Sequence, residues 1–99
     1  FPDGTFDAVV QGEIWEHVQN PIRIILEGMR VLKPGGYLVA TTPIREHHYD
    51  CMHLHIWNDT SIQKLLEPLR AHVIRLEKIA EEGAEPSCYL AVLEKPQRT

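Results

Sequence analysis

The sequence predicts an α/β fold, and three observations carry that expectation. Residues 6–10 (FDAVV) are a short β-forming run delivered by the turn Pro2-Asp3-Gly4-Thr5. Asn20-Pro21 then opens a segment with Ile22, Ile25, Leu26 and Met29 at helical spacing. Residues 37–42 (YLVATT) follow a Pro34-Gly35-Gly36 stop as an apolar run with little alternation, the pattern of a strand covered on both faces. Strand, helix and strand at this spacing make one right-handed crossover between parallel strands.

Each element has a local reason. Pro2 presets φ and Gly4 accepts a positive φ, so the chain turns into the first strand. Asn20 is a capping residue and Pro21 suits the first helical position, where no N–H is needed. Lys33 sits at the negative end of the helix dipole, and Pro34-Gly35-Gly36 ends the helix. Pro43 closes the second strand, and residues 44–56 read as a polar, histidine-rich loop. Asn58 caps a helix over residues 59–69, with Ile62, Leu65, Leu66 and Leu69 on one face and Pro68 fraying its last turn. Residues 72–80 and 88–94 are β-forming and flank an acidic loop around Gly83, the signature of an antiparallel pair.

Composition limits the function classes. The 99 residues suit one small domain, 43% hydrophobic and 24% charged, and no apolar run approaches the roughly 18 residues of a membrane span. A net charge of −4 argues against a general polyanion binder, so nucleic acid is not an expected partner. Cys51 and Cys88 lie far apart with no C-x-x-C pair, which predicts free thiols in a reducing, cytoplasmic setting. The opening Phe1-Pro2-Asp3-Gly4 has neither initiator Met nor signal-like block, as expected of part of a longer chain.

Chemistry-bearing residues cluster at one place in this topology. Glu13, Glu16 and His17 follow the first strand and share one face if the segment is helical. His47, His48, Asp50, Cys51, His53 and His55 emerge from the end of the next parallel strand. Ligands in open α/β sheets bind beyond the carboxyl ends of the strands, which is where both groups fall. Carboxylates with imidazoles are ligands for a divalent metal, with Mg²⁺, Mn²⁺, Fe²⁺ and Zn²⁺ all open. The same residues are also ordinary helix-surface and loop residues. Trp15 and Trp57 flank the two groups, as a wall for a planar substrate or, more in keeping with their type, as core aromatics.

Phe6-Asp7 with Val9-Val10, Glu16-His17-Val18, Asn20-Pro21, Arg30-Val31-Leu32-Lys33-Pro34-Gly35-Gly36 and Thr42-Pro43 together resemble the middle and late motifs of class I S-adenosylmethionine-dependent methyltransferases. The resemblance covers most of the chain and is strongest before residue 44. It implies that residues 1–99 form the C-terminal portion of a single Rossmann-like methyltransferase domain. Strands four and five of that fold would be residues 6–10 and 37–42, and the closing antiparallel pair would be residues 72–80 and 88–94. It further implies a cofactor-proximal role for Gln11, Gly12 and Glu13.

The family's glycine-rich loop and ribose-holding acid have no match here, so the chain alone is expected to bind S-adenosylmethionine weakly or not at all. Glu13-Ile14-Trp15-Glu16-His17 is similar to the ExxEH signature of metal-assisted O-methyltransferases, and His53 best matches the later histidine of that group. By that resemblance Glu13, Glu16, His17 and His53 are the catalytic and metal-ligand candidates. The implied reaction moves a methyl group to a small molecule or hydroxyl acceptor. The alternative expectation is a noncatalytic, truncated domain that self-associates or binds a partner chain through the exposed edge of the first strand.

Overall fold

The computed structural model describes residues 1–44, 57–80 and 82–97. Four strands form one sheet: β1 (Phe6–Gly12), β2 (Leu32–Pro43), β3 (Val73–Ile79) and β4 (Cys88–Glu94), in the order β1-β2-β4-β3. β1 and β2 are parallel and are joined by helix α1 (Pro21–Val31); the β2–β4 and β3–β4 pairs are antiparallel. The expected crossover and closing pair are both present. Helix α2 (Asp59–Leu66) continues as a 3-10 segment, Glu67–His72, into β3.

Local sequence explains most of these boundaries. The Asn58 side chain accepts from the Ser61 N–H, and Ser61 Oγ accepts from the Asn58 N–H, both at 2.9 Å, so two orphan donors at the start of α2 are satisfied reciprocally. Pro68 then tightens the chain into 3-10 geometry instead of letting the α-helix run to residue 69. Asn20 does stand at the start of α1, but its side chain accepts no capping bond; Pro21 at the first position carries the start signal. At the other end of α1, Lys95 donates to the carbonyls of Arg30 (3.2 Å) and Leu32 (2.7 Å), the role the sequence suggests for Lys33. Lys33 lies instead 3.6 Å from the exposed Asp7 carboxylate.

The Lys33-Pro34-Gly35-Gly36 stretch is a bulge inside β2, not a turn before it. Phe6 pairs with Leu32 and Ala8 with Tyr37, so several β2 residues oppose one step of β1. Gly35 has φ 83°, and a Cβ on Gly36 would lie 2.7 Å from the Asp7 carbonyl oxygen, so both positions require glycine.

The core lies on one face of the sheet. Leu38 and Ala40 of β2 with Tyr89, Ala91 and Leu93 of β4 pack against Ile25 and Met29 of α1 and Ile62 and Leu66 of α2. A Cβ on Gly28 would be 2.5 Å from Leu38 Cδ1, so α1 sits as close to the sheet as a bare backbone allows. Trp15 and Trp57, 0% and 6% exposed, belong to this core. The opposite face departs from the expectation of a doubly covered strand. Among the described residues it carries Tyr37 and Val10, 42% and 73% exposed, because both α-helices pack on the other side. No described helix is long and apolar enough to cross a membrane.

Candidate functional site

The carboxyl ends of β1 and β2 are held together by a short network of backbone and side-chain bonds. The Glu13 N–H donates to the Thr41 carbonyl at 2.9 Å just beyond the last β1–β2 pair, Gly12 with Thr41. Glu13 itself has φ 57°, in the left-handed region that costs a non-glycine residue about 1–2 kcal/mol. That kink prevents a helix from running through residues 13–17. Only Trp15–His17 forms a helical turn, of 3-10 type, and the predicted single face for Glu13, Glu16 and His17 does not exist.

Below this kink the Gln11 side chain acts as a clamp. Trp15 Nε1 donates to Gln11 Oε1 at 2.8 Å, and Gln11 Nε2 donates to the Ile24 carbonyl of α1 at 2.9 Å. With both ends of its amide engaged and only 6% of the residue exposed, what Gln11 presents to the open side is backbone. The indole N–H of a fully buried tryptophan needs such an acceptor.

Glu16 and His17 differ in exposure. The Glu16 carboxylate is 2% exposed, accepts the Thr42 hydroxyl at Oε1 (3.0 Å), and has Oε2 at 3.8 Å from His17 Nε2. The His17 ring is 38% exposed and stands between that carboxylate and solvent. Cys88, in register with Pro43 at the end of β2, is a half-buried free thiol; burial pushes its pKa up, and the negative charges of Glu13 and Glu16 add to the effect. Such a thiol is a poor nucleophile.

Among the described residues no group of three or more His, Cys, Asp or Glu side chains is placed to hold a metal ion. Glu16 is turned inward to Thr42. His53, His47, His48, Asp50, Cys51, His55, Arg45 and Tyr49 lie outside the described residues. Three features of the site are not written in sequence spacing: the Gln11–Trp15 clamp, the Thr42 bond to Glu16 and the left-handed Glu13. A signal for the last was the Gly12-Glu13 pair directly after β1.

Comparison with known proteins finds likeness in sequence and in fold. A family model described as a methyltransferase domain matches residues 1–40. Over 39 residues the chain is 51% identical to a ubiquinone biosynthesis O-methyltransferase of Xanthomonas oryzae, a match covering 39% of this chain and 16% of that enzyme. Over this stretch the chain is similar to S-adenosylmethionine-dependent methyltransferases. Its fold extends the likeness beyond the matched stretch. The complex between the Haloferax volcanii Trm112 methyltransferase activator and a methyltransferase gives a TM-score of 0.79 at 18% identity, covering 100% of this chain and 57% of the matched one. The cyclase SpnF gives 0.75 at 20% identity, covering 99% and 53%. At these identities the likeness is one of fold, and the chain spans little more than half the length of those structures.

Proposed function

We propose that this methyltransferase chain supplies the acceptor side of an active site that transfers a methyl group from S-adenosylmethionine to a hydroxyl of a small molecule. The observation that carries the proposal is the buried Glu16 carboxylate set against a half-exposed His17 at the carboxyl edge of β1 and β2. S-adenosylmethionine, when bound, offers an electrophilic methyl on a sulfonium that leaves as a neutral thioether. The cofactor's methionine end would lie beside Gln11, Gly12 and Glu13, where the clamp on Gln11 keeps the strand end fixed.

The chemistry of this chain's own residues is then proton transfer and orientation. An acceptor hydroxyl placed over His17 would pass its proton to Nδ1, the ring nitrogen other than the Nε2 that lies 3.8 Å from Glu16 Oε2, as the oxygen takes the methyl carbon and the C–S electron pair stays on sulfur. Glu16, held by Thr42, orients the imidazole and stabilises the imidazolium that forms. A buried carboxylate with one fixed hydroxyl partner is suited to that task, since its orientation is not averaged by water.

The metal-assisted version rests on the ExxEH signature and on His53. The described residues do not make a ligand set, so no step is routed through an ion. The free Cys88 thiol supports the cytoplasmic setting. The test uses the gene product that carries this chain, labelled S-adenosylmethionine and a catechol probe. His17→Gln is expected to lower kcat/KM by about 10²-fold or more, with turnover unaffected by chelator. Loss of turnover in chelator would replace this mechanism with the metal one, and full activity of His17→Gln would remove the proton-transfer role.

A second reading, a noncatalytic domain that pairs with a partner chain or itself through β1, is favoured by one observation. Among the described residues β1 is paired on one side only, with Val10 73% exposed. A monomer that transfers methyl groups would dismiss it.

A further inference from the structure

The other end of the sheet carries a feature that methyl transfer does not use. β3 is the last strand in the order β1-β2-β4-β3, and among the described residues it pairs only with β4. Its sequence, VIRLEKI, is unusual for an open edge because its charges are self-complementary. Open edges recruit other strands unless their charges forbid it. Here the charges select a partner.

Leu76 and Lys78 are in register with the buried Ala91 and Tyr89, so they lie on the helix-covered face, while Arg75, Glu77 and Ile79 are in register with Val92, Leu90 and Cys88 on the other. A second copy that extends the sheet with its helices on the same side must pair like face with like face. That condition allows an antiparallel register centred on Arg75, on Leu76 or on Glu77. Centring on Glu77 sets two carboxylates opposite each other, and centring on Arg75 sets two guanidinium groups opposite, both unfavourable. Centring on Leu76 places Arg75 opposite the partner's Glu77 and Glu77 opposite the partner's Arg75.

The helix-side surface along this edge fits the same register. Two grooves open beside Leu76: one of about 210 Å³ bounded by Asp59, Ile62, Lys78 and Tyr89, the other of about 270 Å³ bounded by Leu66, Arg70 and Val73. Ile74, 51% exposed, has no partner in the β3–β4 register because of the irregularity between Val73 and Arg75. In the Leu76-centred pairing it stands opposite the partner's Lys78, at the mouth of the first groove. In the single chain Arg75 Nη2 and Glu77 Oε1 are 3.0 Å apart, so neither charge is left uncompensated before association.

We propose that β3 is a homodimerisation edge, on which a second copy of this chain pairs antiparallel about a two-fold axis at Leu76 to give one continuous sheet. Such an interface is isologous, each Arg75–Glu77 contact occurring twice. The active-site edge of β1 and β2 lies two strands away and stays free in the assembly.

Sedimentation velocity across a wide concentration range tests this, with circular dichroism confirming that each variant is folded. The native chain is expected to dimerise reversibly. Arg75→Glu and Glu77→Arg, each creating two like-charge contacts, are expected to weaken dimerisation by about tenfold or more, and the double exchange Arg75→Glu with Glu77→Arg to restore it. Facing residues of an antiparallel pair have Cα atoms about 4.5–5.5 Å apart, within disulfide reach. Leu76→Cys should therefore cross-link under diamide faster than the native chain, and Glu77→Cys should not. A monomer at every concentration, a dimer indifferent to single charge reversal, or cross-linking through Glu77→Cys in place of Leu76→Cys would overturn the proposal.

Discussion

Glu16 is a carboxylate with 2% of its surface exposed, and its environment rests on one hydroxyl. Replacing Thr42 by Val keeps the shape but leaves Oε1 without a donor. The expected cost is about 1–3 kcal/mol, with Thr42→Ser closer to native, as measured by urea unfolding. Equal stability of the Val and native chains would show that the bond contributes nothing. Gly28 makes a second residue-scale prediction. Alanine in a helix interior gains up to about 1 kcal/mol of propensity over glycine. Here its Cβ would meet Leu38 Cδ1 at 2.5 Å and Gln11 Nε2 at 2.9 Å. Overpacking of about 1–3 kcal/mol should win, giving a lower unfolding midpoint for Gly28→Ala. Glu16 and His17 stood out in sequence by residue type alone. The loss of a helical face shared with Glu13 was not legible, since it follows from the left-handed φ of Glu13, which no spacing rule reveals.

Elements with local causes were the readable ones. The Asn58–Ser61 capping box is written within a few residues, and Asn58→Ala should cost about 1 kcal/mol by the same unfolding measurement. The Lys95 contact with the end of α1 was unreadable, because its partners are more than 60 residues away in sequence. Long-range contacts also tie α2 to the sheet. Tyr89 Oη donates to Asp59 Oδ1 at 2.5 Å, and Lys78 Nζ lies 3.3 Å from Oδ2. Burial pushes the Tyr89 pKa up to about 12, with the Asp59 carboxylate adding to it. A phenol whose pKa is higher in the folded chain binds its proton more tightly there. Its contribution is therefore complete below the unfolded value near 10, declines as pH rises above it, and is lost by about 12. Unfolding midpoints of the native chain should fall over that window, and Tyr89→Phe should flatten the fall. An identical alkaline decline in Tyr89→Phe would assign it elsewhere.

At the scale of the molecule, four strands were legible from their composition, and the order β1-β2-β4-β3 matches the strand assignment implied by the family resemblance. The sidedness was less legible. The apolar run of β2 suggested cover on both faces, whereas among the described residues both α-helices share one face and Val10, Tyr37 and Ile79 remain exposed on the other. Apolar composition reports what a strand is able to bury, not which neighbours reach it. The expected metal set of Glu13, Glu16, His17 and His53 met a different limit: the helical face assumed for the first three is absent, because only Trp15–His17 forms a 3-10 turn, and His53 lies outside the described residues. What survives at this scale is a sheet whose β1–β2 edge carries the Glu16 carboxylate 3.8 Å from the His17 imidazole, the pair proposed to serve methyl transfer. The most direct test of that claim is methyl transfer from labelled S-adenosylmethionine to a catechol by the gene product carrying this chain, native against Glu16→Gln. The account predicts at least about a 10²-fold loss of turnover in Glu16→Gln with cofactor binding retained; equal turnover by the two proteins would contradict it.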